Sequence, residues 1–256
     1  MKVLQIWRYP VKSMGGERLD ACDVTEVGLV GDRRWGVVDV DSGKVLTAKR
    51  DGRLLFATAR LIDDDEVQVR LPDGQVLSDD GQLSDWLGRR VSLQRAGESG
   101  GRFENPRDFE AESDWMSWQG PPKAWHDMKR VRVSLLSTGS VGDWDVCRFR
   151  PNVFLEGEGE DRLVGELIRV GSATLSVQKR LGRCVMVTRA QPGIEKDLDV
   201  LREINRHRDT FLAVGALVER IGRIAIGDEI VTVRPNKTAA LLSATSVLTT
   251  NVAGVC

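Results

Sequence analysis

The chain has 256 residues, 41% of them hydrophobic and 29% charged, so it can form one large or two ordinary globular domains with a proper core. Its 37 lysines and arginines nearly balance its 38 aspartates and glutamates, which gives a net charge of −1. That balance gives no general electrostatic reason to expect a nucleic acid or an anionic membrane as partner, so any anion site has to be built locally.

The chain up to residue 95 is predicted to be rich in strands. Short runs of β-branched and aromatic residues alternate with turn residues, and the turn at residues 41–43 is a compact hairpin signal. Asp79 or Asp80 is placed to cap a short helix that Gly88 closes. The predicted strands cover residues 3–7, 34–40, 44–48, 54–62, 67–71, 75–77 and 91–95. Such a set is typical of a small barrel or sandwich.

Residues 96–124 carry no regular pattern, and glycine and proline pairs interrupt them. A long irregular connection in a globular protein is typical of a lid or an interdomain linker. We interpret the tryptophans of this region, Trp115, Trp118 and Trp125, as packing anchors rather than as surfaces that stack on a ligand.

The second half again predicts strands, with two helices. A short helix begins in the stretch Ser137 to Ser140, where a hydroxyl can cap it. A second helix covers residues 197–207, with Leu198, Leu201 and Ile204 on one face. The predicted strands cover residues 131–136, the end of 149–155, 173–178, 211–218, 223–226 and 229–233.

The fold class that follows is mixed α+β, mostly β, with a β-barrel-like N-terminal domain and a second barrel that carries a few helices. We predict the N-terminal domain with its irregular linker over residues 1–124, the second domain over 125–235, and a tail of unknown role over 236–256.

Arg183-Cys184 is the most informative pair of residues. It follows the alternating strand 173–178 and the basic stretch 179–182. Positive charge near a thiol favours the thiolate, which attacks electrophiles and ligates metals. Cys184 is therefore a candidate soft metal ligand, although a lone cysteine beside an arginine is more often structural.

Three further clusters combine basic side chains with hydroxyl or amide groups: residues 9–13, 32–35 and 148–152. Arginine offers a planar fork that matches phosphate, and serine and asparagine add directed hydrogen bonds. The helix start at residues 137–140 would add backbone N–H groups to the same anion. Each cluster alone is more often a solvated patch, so the argument rests on their occurring together with Arg183-Cys184.

In this order, the motifs YPVKS, DRRW, FRPN and RC resemble the MOSC family with its N-terminal β-barrel domain, as in the mitochondrial amidoxime-reducing component and its bacterial relatives. The resemblance extends over residues 3 to about 234. It implies the molybdenum cofactor, a pterin with a dithiolene and a phosphate, with Cys184 as metal ligand and catalytic residue. It implies that Arg183 neighbours the metal and that other residues hold the pterin and phosphate: Lys12, Ser13, Arg33, Arg150 and Asn152, and less securely Ser137, Thr138 and Ser140.

The resemblance implies an oxidoreductase that removes oxygen from a small N-hydroxylated substrate. Because no cysteine-rich ferredoxin segment is present, a separate donor would supply electrons. Two alternatives stay open: a carrier of cofactor or sulfur like the C-terminal part of cofactor sulfurases, with a persulfide on Cys184, or a β-rich binding module with a structural cysteine. Of the two histidines, His207 is expected to be solvated, while His126 could approach the pocket.

Four widely spaced cysteines, with no metal-finger spacing, are typical of free thiols in a reducing compartment. The N-terminus is charged too early for a signal peptide, and no apolar run approaches the ~20 residues needed to cross a bilayer. We therefore expect a cytoplasmic protein without a membrane segment or a nucleic-acid partner.

Overall fold

Strands dominate the computed structural model, which describes residues 1–63, 66–108 and 113–233. The predicted tail therefore lies outside the described residues. No helix among those described is both long and apolar enough to span a membrane. The strands are β1 (Lys2–Arg8), β2 (Glu17–Leu19), β3 (Ala21–Thr25), β4 (Gly28–Leu29), β5 (Trp35–Asp39), β6 (Thr58–Asp63), β7 (Glu66–Arg70), β8 (Val91–Arg95), β9 (Arg102–Asp108), β10 (Ser113–Gln119), β11 (Val133–Ser137), β12 (Val153–Glu156), β13 (Leu167–Val170), β14 (Ala173–Gly182), β15 (Phe211–Arg220), β16 (Gly222–Ala225) and β17 (Ile230–Val233). The α-helices are α1 (Asp80–Leu87), α2 (Thr138–Val141) and α3 (Asp199–Arg208), and 3₁₀ helices cover Gly52–Phe56, Val146–Arg148, Glu160–Leu163 and Val185–Thr188.

A curled eight-stranded sheet, in the order β17-β13-β14-β15-β11-β12-β1-β2, forms the larger core. β14 shows why the sequence folds this way, because Ala173, Leu175 and Val177 point into the core while the residues between them are more exposed. The strand continues through the basic residues that follow and ends at Gly182. The predicted mostly-β fold with barrel-type domains is confirmed.

The first strands of the chain pair with strands of the second half. β1 pairs with β12 in the eight-stranded sheet, and β3 pairs with β16 in a separate three-stranded sheet. The backbone N–H of Trp7 donates to the carbonyl oxygen of Asn152 at 2.8 Å. The loop after β1 is therefore fixed beside the segment that leads into β12. The boundary proposed at residue 124 stays a prediction.

The N-terminal part contains two strand pairs, β5 with β8 and β6 with β7, around a second core. Three predicted strands are wrong in part. Residues 54–56 are not extended, because Asp51 caps the 3₁₀ helix Gly52–Phe56. Its neighbouring residues Leu54 and Leu55 are both buried, which does not fit the alternation of a half-buried strand. Residues 44–48 and 75–77 form only isolated bridges, through Val45 and Val76.

The prediction that residues 96–124 are irregular is wrong, since β9 and β10 form an antiparallel hairpin there. Its core is aromatic: the ring centroid of Phe103 lies 4.8 Å from that of Trp118 and 6.0 Å from that of Trp125. Packing, rather than an alternating pattern in the sequence, determines this hairpin. The interpretation of Trp118 and Trp125 as packing anchors is confirmed.

Capping residues determine where α1 begins and ends. Asp79 accepts a hydrogen bond from the backbone N–H of Gln82, and Gly88 closes α1, as predicted. α3 begins two residues later than predicted, so Leu198 precedes it and is 48% exposed. The face that α3 buries carries Val200 and Ile204.

Phe103→Ala is expected to lower the free energy of unfolding by about 3–5 kcal/mol, because it empties the aromatic core of the hairpin. Chemical denaturation measures this difference. Met116→Ala, on β10 and 47% exposed, is the control and should change stability by less than about 0.5 kcal/mol. Equal effects of the two substitutions would show that the hairpin does not depend on this packing.

His126 is expected to make stability depend on pH. It is 4% exposed, and burial lowers its pKa from 6.5 to about 4. Between those values the unfolded chain binds a proton that the folded chain does not, so the free energy of unfolding should fall by roughly 3 kcal/mol as pH drops from about 6.5 to about 4. Denaturation at each pH should show a flatter profile for His126→Gln. His207→Gln, whose side chain is 65% exposed, should keep the wild-type slope; equal slopes in all three proteins would refute the assignment.

Candidate functional site

A cavity of about 1010 Å³ lies where both halves of the chain meet. Four separate segments bring predicted site residues to its wall. These residues are Lys12, Ser13, Arg33, Arg150, Asn152, Arg183 and Cys184. Among the described residues, eight arginine or lysine side chains line the cavity, and Asp127 supplies the one carboxylate. The wall is therefore strongly cationic.

Lys12 and Ser13 are held by the loop that follows β1. The N–H of Lys12 donates to the Trp35 carbonyl oxygen at 2.9 Å, and the Ser13 Oγ accepts from the N–H of Ala48 at 3.0 Å. Lys12 is 3% exposed, and its Nζ donates to Asp127 Oδ1 at 2.7 Å. Burial lowers the pKa of Lys12, against the opposing effect of Asp127. This pair fixes one ammonium group at the wall.

Arg33 and Arg150 lie near each other because both contact Tyr9. Their guanidinium carbons are 5.3 and 4.2 Å from the centre of the Tyr9 ring. Arg33 is also paired with Asp32, and Arg150 Nη2 donates to the Met14 carbonyl oxygen at 2.6 Å. Burial lowers the pKa of Arg150 to about 10. Two like charges are therefore concentrated beside one ring.

The backbone around the cavity is strained at three of the predicted positions. Ser13, Arg33 and Arg150 have φ angles of 71°, 51° and 53°, in the left-handed region that side chains other than glycine rarely adopt. Such conformations cost free energy and persist only where the surrounding structure holds them. Their location at one cavity indicates that the side-chain directions are constrained.

Asn152 links three segments of the chain through hydrogen bonds of its side-chain amide. Its Oδ1 accepts from the N–H and the Oγ of Ser134, both at 3.1 Å, and from Arg33 Nη1 at 3.4 Å. Its Nδ2 donates to the Trp7 carbonyl oxygen at 3.3 Å. Asn152 thus positions β1, β11 and Arg33, a structural role that the sequence did not indicate.

Arg183 and Cys184 follow the end of β14. Cys184 is a free, partly exposed thiol that begins the 3₁₀ helix Val185–Thr188. Arg183 Nη1 donates to the Phe149 carbonyl oxygen at 3.2 Å, but its buried Nε and Nη2 have no hydrogen-bond partner among the described residues. Burial lowers the pKa of Arg183 to about 10, with the Cys184 sulfur acting in the opposite direction. These two buried N–H donors of Arg183 are therefore available to an acceptor on a bound ligand.

The three hydroxyl residues of the predicted helix start are not brought to the cavity. Ser137, Thr138 and Ser140 are absent from its described wall. The Ser137 Oγ instead donates to Glu160 and accepts from the N–H of Ser140, as the cap of α2. Thr138 Oγ1 donates to the Gly157 carbonyl oxygen at 2.9 Å. The hydroxyls of Ser137 and Thr138 are thus used within the fold, and the predicted contribution of the three residues to the pocket is not supported.

Several lining residues were missed in the sequence. Thr47, Lys49 and Asn105 come from the N-terminal half, and Asp127 adjoins His126. The sequence indicates only that His126 could approach the pocket, and Asp127 is the next residue. Asn105 gives no such signal, because it lies in the region predicted to be irregular. Although desolvation opposes it, the charges of Lys12 and Lys49 lower the pKa of Asp127. Among the described residues, no group of three His, Cys, Asp or Glu side chains is arranged to hold a metal ion.

The chain is similar to several known proteins. A molybdenum cofactor sulfurase of Drosophila grimshawi is 24% identical over 91% of this chain, which spans 35% of the length of that relative. The crystal structure of the YuaD protein from Bacillus subtilis is 14% identical, with a TM-score of 0.46, over 90% of this chain and 93% of that one. YiiM from Geobacillus stearothermophilus is 16% identical, with a TM-score of 0.34, over 54% of this chain and 75% of that one.

Two family models divide most of the chain between them. The MOSC N-terminal beta barrel domain matches residues 1–118, and the MOSC domain matches residues 123–231. The chain therefore belongs to the MOSC family, with the N-terminal beta barrel domain preceding the MOSC domain.

Proposed function

We propose that this protein is a molybdenum-cofactor-dependent oxidoreductase that removes oxygen from N-hydroxylated small molecules. The MOSC family binds the molybdenum cofactor. The observation that carries the proposal is the presence of a free thiol, Cys184, and two unpartnered buried donors, of Arg183, in one cationic cavity.

The residues present fit this cofactor. A thiolate suits a metal that is also held by dithiolene sulfurs, because both are soft ligands. Guanidinium groups suit a phosphate, and Arg183 has Nε and Nη2 unpaired, as a fork for an anion requires. In this proposal Cys184 ligates the metal, Lys12, Arg33, Arg150 and Arg183 supply charge, and Ser13 and Asn152 position the pterin and phosphate.

The bound cofactor would supply two-electron redox chemistry. The overall reaction is R₂N–OH + 2e⁻ + 2H⁺ → R₂NH + H₂O, in which the N–O bond breaks and the oxygen leaves as water. The protein's part is to orient the cofactor and to keep positive charge beside it. With a pKa of about 4, His126 is neutral at pH 7, so we assign the proton supply to solvent. A separate redox protein would deliver the electrons, and the cytoplasm is the proposed compartment.

A second candidate is supported by the similarity to a molybdenum cofactor sulfurase. Here Cys184 would carry a persulfide, formed when its thiolate takes the outer sulfur of a donor protein's persulfide and the donor cysteine leaves as a thiolate. Cys184 would hold that sulfur beside the bound cofactor. Mass spectrometry that shows a persulfide on Cys184, without reduction of N-hydroxylated compounds, would favour this candidate over the first.

Cys184→Ser is expected to abolish reduction of N-hydroxylated compounds and to lower the molybdenum content of protein purified from a cofactor-competent host. The reason is loss of the thiolate ligand to the metal. Metal analysis and a reductase assay with an artificial electron donor measure the two effects. Cys147→Ser is the control, because Cys147 does not line the described cavity wall. Absence of cofactor-bound molybdenum from the wild type would refute the proposal.

Arg183→Met is expected to weaken binding of inorganic phosphate to cofactor-free protein about tenfold or more, because charged hydrogen bonds contribute about 1.5–3 kcal/mol each. Calorimetric titration measures this affinity. The same substitution should lower the stability of the cofactor-free protein by no more than about 1 kcal/mol, because only Nη1 donates a hydrogen bond, to Phe149, and the other two donors have no partner among the described residues.

Arg148→Met is the contrasting variant. Arg148 also lines the cavity, but it donates to the carbonyl oxygens of Val187 and Glu195, both at 2.9 Å, so its loss should destabilise the fold. If Arg183→Met instead destabilised the protein without affecting phosphate, Arg183 would be structural.

A further inference from the structure

The wall contributed by the N-terminal half contains a second polar cluster, outside the motifs that indicate the cofactor. Thr47 and Lys49 come from the turn after β5, and Asn105 comes from β9. All three line the cavity. Thr47 is 5% exposed, yet its Oγ1 has no hydrogen-bond partner among the described residues. A buried hydroxyl without a hydrogen-bond partner destabilises the fold unless a bound ligand supplies that partner.

Lys49 adds charge to the unpartnered hydroxyl. Its Nζ donates to Asn105 Oδ1 at 2.6 Å, which leaves further ammonium donors. No carboxylate is paired with Lys49 within the described ranges. Asp127 is the acidic residue of the wall whose pKa the charge of Lys49 lowers. Its carboxylate accepts a hydrogen bond from Lys12. Lys49 therefore adds positive charge to a wall that is already cationic, and an anionic ligand group would reduce this repulsion.

The cluster is also rigidly placed. Ser13 Oγ accepts from the N–H of Ala48, and Arg189 Nη2 donates to the Lys49 carbonyl oxygen at 3.1 Å. The turn is therefore fixed both to the Lys12-Ser13 loop and to the segment that follows Cys184. At about 1010 Å³ the cavity lies at the upper end of the range for small-molecule sites.

We propose that Thr47, Lys49 and Asn105 form a subsite for a carboxylate group of the substrate. Lys49 supplies the charge, and the Thr47 hydroxyl donates the hydrogen bond that it lacks in the ligand-free protein. The assignment to a substrate rests on the proposed reductase function, whereas carboxylate binding itself does not. The preferred N-hydroxylated compounds are thus carboxylic acids rather than neutral molecules.

The binding test uses benzoate, titrated by calorimetry into protein purified from a cofactor-competent host. Lys49→Gln and Thr47→Val should each weaken benzoate binding, by about tenfold for Lys49→Gln. Thr47→Val should not destabilise the free protein, because the hydroxyl has no partner to lose. Lys44→Gln is the matched control, since Lys44 pairs with Glu104 at 2.6 Å and does not line the described wall. Benzoate affinity that is the same in wild type and both variants would overturn the subsite.

The turnover test compares benzamidoxime with its 4-carboxylate. Lys49→Gln should lower kcat/KM about tenfold more for the carboxylate than for the neutral compound, with the molybdenum content constant. Equal losses for both compounds, or a fall in molybdenum content, would overturn the substrate assignment. If wild-type protein reduces neither compound, the proposed function fails, and the benzoate titration alone decides whether the subsite exists.

Discussion

Concentrated positive charge is the constraint on which the cavity depends. Arg33 and Arg150 are held beside one tyrosine ring, and two buried donors of Arg183 have no partner in the part of the chain that the structure describes. Bringing such groups together in a desolvated place is unfavourable, and burial lowers the pKa of Arg150 and Arg183 accordingly. An anionic ligand relieves both the repulsion and the missing hydrogen bonds, so ligand binding and local stability are coupled.

The fold accommodates this charge through a few well-packed elements. β1 pairs with β12, which fixes the Lys12-Ser13 loop against Asn152, and Asn152 in turn orients Arg33. Left-handed backbone at Ser13, Arg33 and Arg150 turns these side chains at the cavity wall. Because the strain is distributed over three segments of different sheets and loops, no single segment forms the site alone.

The sequence-based predictions succeeded where one local signal dominated. The Asp79 cap and Gly88 bound α1, and the alternation of Ala173, Leu175 and Val177 marked β14. They failed where packing overrode local pattern, as at Leu54 and Leu55, which are both buried in a 3₁₀ helix, and at the β9–β10 hairpin, which Phe103 stabilises. Ser137 shows the same limit at the site, because its hydroxyl can cap a helix or face a ligand, and the neighbouring Glu160 decided between them.

The sequence by itself determined the mostly-β class, the family motifs and the candidate thiol Cys184, because these depend on residue identity and local spacing. Only the tertiary structure decided which basic residues share a cavity, that Ser137, Thr138 and Ser140 do not, and that Thr47, Lys49 and Asn105 do. The physical reason is that strands far apart in sequence pair to form the wall. A side chain's partners across that wall follow from the pairing and the packing of the whole sheet, which no short stretch of sequence encodes.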